Sequence, residues 1–216
     1  MDTTPFHFAY LGFWQTLGIF LLASLFFHFN PTTFGRPVTG RFREEIIVWL
    51  ARGFDTGLLP KGPGTWGSLV GVVWVLVLVS TKRLELYLLG TLIGIAASIW
   101  ICDRAEKILN QHDPSSVVLD EIIALPICFL PWVIRLWLPT HTMPSASAFF
   151  ADRAWLGTLG IFALFRLFDI WKPGPIGKIQ KLSGGLGVTA DDVLAGVATA
   201  LIVMGYLAVF PTHLFL

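Results

Sequence analysis

The chain has 216 residues, 55% of them hydrophobic and only 13% charged, with a net charge of +1. A soluble domain carries roughly 25% charged residues, and a globule of this size cannot hide so much apolar surface, so lipid is the expected solvent. The near-neutral balance gives no electrostatic footprint for nucleic acid. The two cysteines, Cys102 and Cys128, exclude a disulfide-stapled scaffold and read as buried thiols.

A spanning helix needs about 20 mostly apolar residues. Residues 6–29 carry no Asp, Glu, Lys or Arg and read as a first span, too long and without the basic start of a signal peptide. Residues 35–55 place Phe42, Ile46, Trp49 and Leu50 at helical spacing among Arg41, Arg43 and Arg52. This pattern suits an amphipathic helix lying on anionic lipid. Further spans are read at 62–81, 84–102, 122–138, 154–171 and 193–210. Pro126 and Pro131 interrupt the fourth, so it and the second are candidates for re-entrant or tilted segments. The expected fold is an all-α integral membrane protein of about six transmembrane or re-entrant helices plus the interfacial helix.

Charge placement orients this arrangement. With six crossings, loops 30–61, 103–121 and 172–192 share one face and hold Arg36, Arg41, Arg43, Arg52, Lys61, Arg104, Lys107, Lys172, Lys178 and Lys181. The opposite face holds Lys82, Arg83 and Arg153. The excess of cations marks the cytoplasmic face and puts both termini outside. Asp120, Glu121, Asp169, Asp191 and Asp192 fall at span ends on that same face. Carboxylates at a membrane boundary are costly unless paired or bound to a cation.

Three polar segments collect the candidates. In residues 58–69 a Pro/Gly-rich turn enters a span. Thr65 and Ser68 stand where they can cap the helix, and Lys61 and Gly64 lie beside them. Free N–H groups there suit phosphate, although a plain turn into the membrane explains the same residues. In residues 110–122, His112 and Asp113 precede Pro114. Asp120 and Glu121 follow, pointing about 100° apart on a helix, able to bind a cation from two directions. In residues 165–196, Arg166, Asp169 and Lys172 are three apart on one helix face, Gly184, Gly185 and Gly187 read as a flexible loop, and Asp191 and Asp192 open the last span. An Arg166–Asp169 ion pair and a capped helix account for part of this pattern, but not for so many boundary carboxylates. All-oxygen clusters suit hard cations, magnesium above all when phosphate completes the shell. The chain lacks a His/Cys zinc cluster, a nucleophile elbow and a phosphate loop of the Gly-Lys-Ser/Thr type.

The runs PKGPGTWGSL (60–69), HDPSSVVLDEI (112–122), RLFDIWKPGPI (166–176) and GGLGVTADDVLAG (184–196) resemble the phosphatidylglycerophosphatase A family over about two-thirds of the chain. Two departures, Ala124 and Thr189–Ala190, touch no charged candidate. The resemblance implies a small, helical, magnesium-dependent membrane phosphatase. Its substrate would be phosphatidylglycerophosphate and its products phosphatidylglycerol and inorganic phosphate, at the cytoplasmic surface of a bacterial inner membrane. On this reading residues 1–35 form an anchor span and 36–216 the phosphatase domain. Asp120, Glu121, Asp169, Lys172 and Asp192 are the expected catalytic residues. Lys61, Gly64, Thr65, Ser68, His112, Arg166 and Lys172 are expected to bind phosphate. Asp120, Glu121, Asp169, Asp191 and Asp192 are the expected magnesium ligands. Hydrolysis is expected by direct attack of water, with Glu121 as a candidate base. The competing reading is a cation-coupled transporter or channel using the same carboxylates.

Overall fold

A computed structural model of the chain describes residues 41–179, 182 and 184–210, together with Gly18, Leu21, Leu22, Ser24 and His28. The predicted first span and the 1–35 anchor lie almost wholly outside the described residues. Among the described residues from 41 onward, seven helices follow one another: α1 (Phe42–Ala51), α2 (Pro63–Ser80), α3 (Leu84–Leu109), α4 (Leu119–Trp137), α5 (Ala154–Trp171), the short α6 (Pro175–Ile179) and α7 (Gly185–Val209). Short 3-10 turns at Thr56–Leu58 and Ala146–Phe149 complete the regular structure from residue 41 onward, and the described residues contain no strand.

Four of these helices, α2, α3, α5 and α7, are long and apolar enough to cross a membrane. Helix α4 carries Asp120, Glu121 and Arg135 and is the central member, packed against α2, α3, α5 and α7. It is continuous through both prolines. Pro126 has no N–H for the Ile122 carbonyl one turn back, and α2 comes close to that carbonyl at Gly71, where a Cβ would lie 3.0 Å from it. The Tyr87 hydroxyl of α3 donates to the Pro126 carbonyl at 2.7 Å. The far end of the bundle is an aromatic core of Phe129, Trp132 and Phe149, all buried, with the Trp132 and Phe149 rings edge-to-face at 4.7 Å. Truncating such a side chain leaves a cavity that costs about 3–5 kcal/mol.

Two local expectations are corrected. Gly185 and Gly187 are helical, not part of a flexible loop, and α7 starts eight residues earlier than the predicted span. The reason is close packing. A Cβ at Gly185 would collide with the Ile99 carbonyl and the Asp103 backbone of α3. Membrane helices approach through such small residues, and the Ser98 and Thr189 hydroxyls bond across the same contact at 3.1 Å. Asp191 and Asp192 therefore lie in the second turn of α7 and do not open it. Likewise Thr65 and Ser68 do not cap α2. Its N-cap is Gly62, in the left-handed region at φ 76°, and no side chain bonds the cap.

Helix α1 turns Glu45, Val48 and Ala51 inward and leaves Phe42 exposed. Its buried face, packed on α3, is a different one from the stripe of Phe42, Ile46, Trp49 and Leu50 that is expected to meet lipid.

Candidate active site

The first turns of α2 and α4, the first two turns of α7 and the last turns of α5 meet at one end of the bundle, around a cavity of about 240 Å³. The three segments that are far apart in sequence are thereby joined. Six carboxylates line the cavity: Asp113, Asp120, Glu121, Asp169, Asp191 and Asp192, against two cations, Arg166 and Lys172.

Each acid has a distinct setting. Glu121, Asp169 and Asp192 bring carboxylate oxygens within 4.8 Å of one another. Arg166 braces two of them: Nη1 donates to Asp169 Oδ2 at 2.5 Å and lies 3.2 Å from Glu121 Oε1. It also donates to Ser68 Oγ at 3.4 Å, while Ser68 donates to the Gly64 carbonyl at 2.8 Å. The Arg166 Nε is buried without a hydrogen-bond partner among the described residues. Asp191 stands apart from the triad, bonded by the Lys172 ammonium. Asp120 is buried, lines the cavity, and accepts the Glu121 backbone N–H on Oδ1 at 3.0 Å.

Lys172 follows the last residue of α5 and takes a left-handed conformation, φ 46°. It thus leaves the α5 helix path yet keeps Nζ 3.8 Å from Asp169 Oδ1. Burial pulls its ammonium down, but the bond to Asp191, with Asp192 and Asp169 nearby, outweighs this and raises its pKa above the ordinary lysine value.

Gly64 is essential to this geometry. A Cβ there would fall on the Glu121 carboxylate and on Arg166 Nη1, and one at Gly67 would fall on Val118 and reach Glu121 Oε2. The two glycines, three apart, let the start of α2 lie directly against α4.

Not every predicted phosphate ligand reaches the cavity wall. Gly64 and Arg166 line it, and Ser68 is buried behind them. Lys61 and Thr65 are exposed and do not line it. The N–H groups of Thr65 and Trp66 both donate to the Gly62 carbonyl. His112 is exposed and held by Glu106, its Nδ1 2.9 Å from Oε1. The Asp113 backbone N–H donates to that same oxygen at 2.7 Å. Glu106 escaped the sequence reading, although it fixes the loop that carries Asp113, Pro114 and Ser115 to the cavity. The signal available was the His-Asp-Pro turn itself, whose tight geometry demands an anchor.

Six carboxylates against two cations make the cavity strongly anionic when ionised, and an unaided phosphate monoester would be repelled. The buried oxygen-only triad has the donor chemistry of a site for a hard divalent cation. With such an ion in place the sign at the cavity floor reverses, and phosphate becomes the natural ligand. A translocation pathway gains no support, because the carboxylates gather at one end of the bundle and not at its midspan.

The family profile described as Phosphatidylglycerophosphatase A matches residues 49–207. Phosphatidylglycerophosphatase A of Haemophilus influenzae is 34% identical over 158 residues, 73% of this chain and 86% of the relative. Its namesake in Escherichia coli is 34% identical over 153 residues, 70% of this chain and 77% of the relative. A putative phosphatidylinositol-3-phosphatase of Bacteroides thetaiotaomicron is 32% identical over 162 residues, 73% of this chain and 91% of the relative. No solved structure matches.

Proposed function

The chain belongs to the phosphatidylglycerophosphatase A family and is a phospholipid phosphatase, and from that premise we propose that it removes the terminal phosphate of phosphatidylglycerophosphate. The products are phosphatidylglycerol and inorganic phosphate. The reaction takes place at the cytoplasmic surface of a bacterial inner membrane and depends on magnesium. The observation that carries this reading is the acidic triad of Glu121, Asp169 and Asp192, braced by Arg166 at the end of a bundle of membrane-length helices.

Glu121, Asp169 and Asp192 would hold magnesium, which when bound supplies charge neutralisation for phosphoryl oxygens and acidifies water. Phosphoryl transfer asks the protein mainly for positioning and electrostatic stabilisation. Arg166, already oriented by two carboxylates, donates its unpartnered Nε to a phosphoryl oxygen. Lys172, beside the other oxygen of Asp169, neutralises a second one. Gly64, at the cavity wall, lets Glu121 and Arg166 lie directly against the start of α2, beside the phosphate. Asp120 lies outside the triad and has Oδ1 occupied by a backbone N–H, so Oδ2 takes the proton of the attacking water. This moves the base from Glu121, which serves the triad. No covalent phosphoenzyme forms. The diacylglycerol part stays in lipid throughout, beside the exposed apolar faces of the helices.

The test is phosphate release from phosphatidylglycerophosphate by purified protein, with magnesium and with excess chelator. Phosphatidylinositol-3-phosphate is run in parallel because one relative carries that name. Turnover of the first substrate, lost on chelation and restored by magnesium, is the expected result. Full turnover in chelator overturns the metal assignment, and preference for the inositol lipid overturns the substrate.

A further inference from the structure

On the flank of the bundle, away from the acidic cavity, α1 and α3 enclose a second concavity of about 590 Å³. Arg43, Glu44 and Ile47 of α1 face Trp100, Arg104 and Lys107 of α3 across it. None of these residues lines the acidic cavity.

Its charges are unevenly satisfied. Glu44 is paired with Arg41 at 3.2 Å, and Lys107 with Asp103 at 2.6 Å. Arg43 makes no ion pair among the described residues, and neither does Arg104, whose guanidinium stands 6.0 Å over the Trp100 ring. Two arginines with spare donors therefore converge on one space. Arginine is the residue best shaped to hold a phosphate with two donors at once.

The face of α3 below them is apolar. Leu89, Ile93, Trp100 and Arg104 recur at spacings of four, seven and four, so they lie along one stripe of the helix. Leu89, Ile93 and Trp100 are 51%, 58% and 55% exposed. In a membrane helix such a stripe contacts acyl chains, and a tryptophan just below arginines marks the head-group level. The stripe and the charges together have the polarity of one lipid molecule: tail, interface, phosphate.

We propose that the α1–α3 concavity is a binding site for an anionic diacyl phospholipid, its phosphate held by Arg43 and Arg104 and its chains laid along Leu89 and Ile93. The site is separate from the acidic cavity, and the lipid is a bound ligand there and not a substrate. Binding ties α1 to α3 at the membrane surface. The surplus of cations selects a net negative head group over a zwitterionic one.

The experiment is native mass spectrometry of the full-length, delipidated protein in detergent, titrated with phosphatidylglycerol or with phosphatidylcholine. Wild-type protein should retain phosphatidylglycerol and release phosphatidylcholine. The R43Q/R104Q variant should bind phosphatidylglycerol about thirtyfold more weakly, the effect of two cations at a membrane surface. R43K/R104K, which keeps the charge but not the planar fork, should bind phosphatidylglycerol between wild type and R43Q/R104Q, and phosphate release by the purified variants should be unchanged. Unaltered phosphatidylglycerol affinity in R43Q/R104Q overturns the proposal, and so does equal retention of phosphatidylcholine by wild type. Should R43Q/R104Q not fold, wild-type binding in rising salt decides: phosphatidylglycerol affinity must fall with salt, and salt-independent affinity overturns the site. The binding readout needs no turnover, so its failure is distinct from failure of the phosphatase reading.

Discussion

Arg166 serves two carboxylates with one nitrogen: Nη1 donates to Asp169 Oδ2 at 2.5 Å and sits 3.2 Å from Glu121 Oε1. Asp169 shares its helix with Arg166, whereas Glu121 belongs to α4, so this one guanidinium fastens the end of α5 to the start of α4. A lysine radiates its three donors from one nitrogen and has no planar fork, so it cannot hold both acids and also present a second nitrogen, as Nε does, to phosphate. Arg166→Lys should lower kcat on phosphatidylglycerophosphate about a hundredfold, a loss in the range for removing one stabilising donor. The helical circular dichroism should stay at the wild-type level. Wild-type kcat in the folded variant would remove Arg166 from the site.

Gly64 is the second half of that junction, because Glu121 and Arg166 occupy the space a methyl group would need. Gly64→Ala should destabilise the protein by about 1–3 kcal/mol, the usual cost of overpacking, and should abolish turnover by displacing both side chains. Gly160→Ala provides the contrast, since among the described residues nothing outside its own helix backbone lies within 4 Å of a Cβ there. Thermal unfolding in detergent and phosphate release, measured on both variants, separate the two effects. Equal behaviour of the two alanine variants would contradict the close approach of α2 and α4.

Helix α5 was legible to the residue, because an apolar run lies between two cations, Arg153 and Lys172. Helix α7 was not, because Gly184, Gly185 and Gly187 signal a loop in water, whereas in a packed membrane bundle small residues admit a neighbouring backbone. The site was legible as a set of acids but not as a geometry. Which three carboxylates converge depends on the side-chain directions of α4, α5 and α7, and no spacing within one segment reports that. For the same reason the sequence alone does not separate Thr65 from Gly64, although on a helix adjacent residues point about 100° apart. His112 was grouped with Asp113, although Glu106 holds it on the outside.

The triad should be detectable as a metal site without turnover. Magnesium should raise the unfolding temperature of wild-type protein, since a ligand that binds only the native state stabilises it by mass action. Asp192→Asn and Asp169→Asn should lose that rise and lose activity, because each replaces a charged oxygen ligand by a weak neutral one. A full magnesium-induced shift in Asp192→Asn would place the ion elsewhere.

The cytoplasmic placement of the cavity rests on loop charge and is tested by labelling. After Cys102 and Cys128 are replaced, single cysteines at Lys61, Lys107 and Lys178 should resist a membrane-impermeant thiol reagent in intact cells and react in inverted vesicles. Reaction of any one of them from outside the cell would break the shared-face arrangement.

The Lys172–Asp191 contact makes a prediction about pH with a definite sign. The ammonium is stabilised in the folded protein, so its pKa is raised above the ordinary lysine value. A group whose folded pKa is raised contributes stability that is fully present below its unfolded pKa, about 10.4 for lysine. That stability is lost as pH rises through the raised folded value. Between neutrality and pH 9, therefore, the contact should stay at full strength. Lys172→Met leaves Asp191, which is 2% exposed, without its cation. The variant should unfold at a lower temperature than wild type by the same interval throughout this pH window. Removing one partner of a buried pair costs about 3–5 kcal/mol when fully desolvated; with Lys172 a quarter exposed, the lower end or less is expected. Phosphate release should fall much further than stability, because the proposed role of Lys172 is to neutralise the transferred group. The measurement is unfolding temperature against pH for both proteins, with turnover at pH 7.5. An interval that shrinks steadily from pH 7 to 9 would mean that Lys172 loses its proton in that range, and would refute the raised pKa.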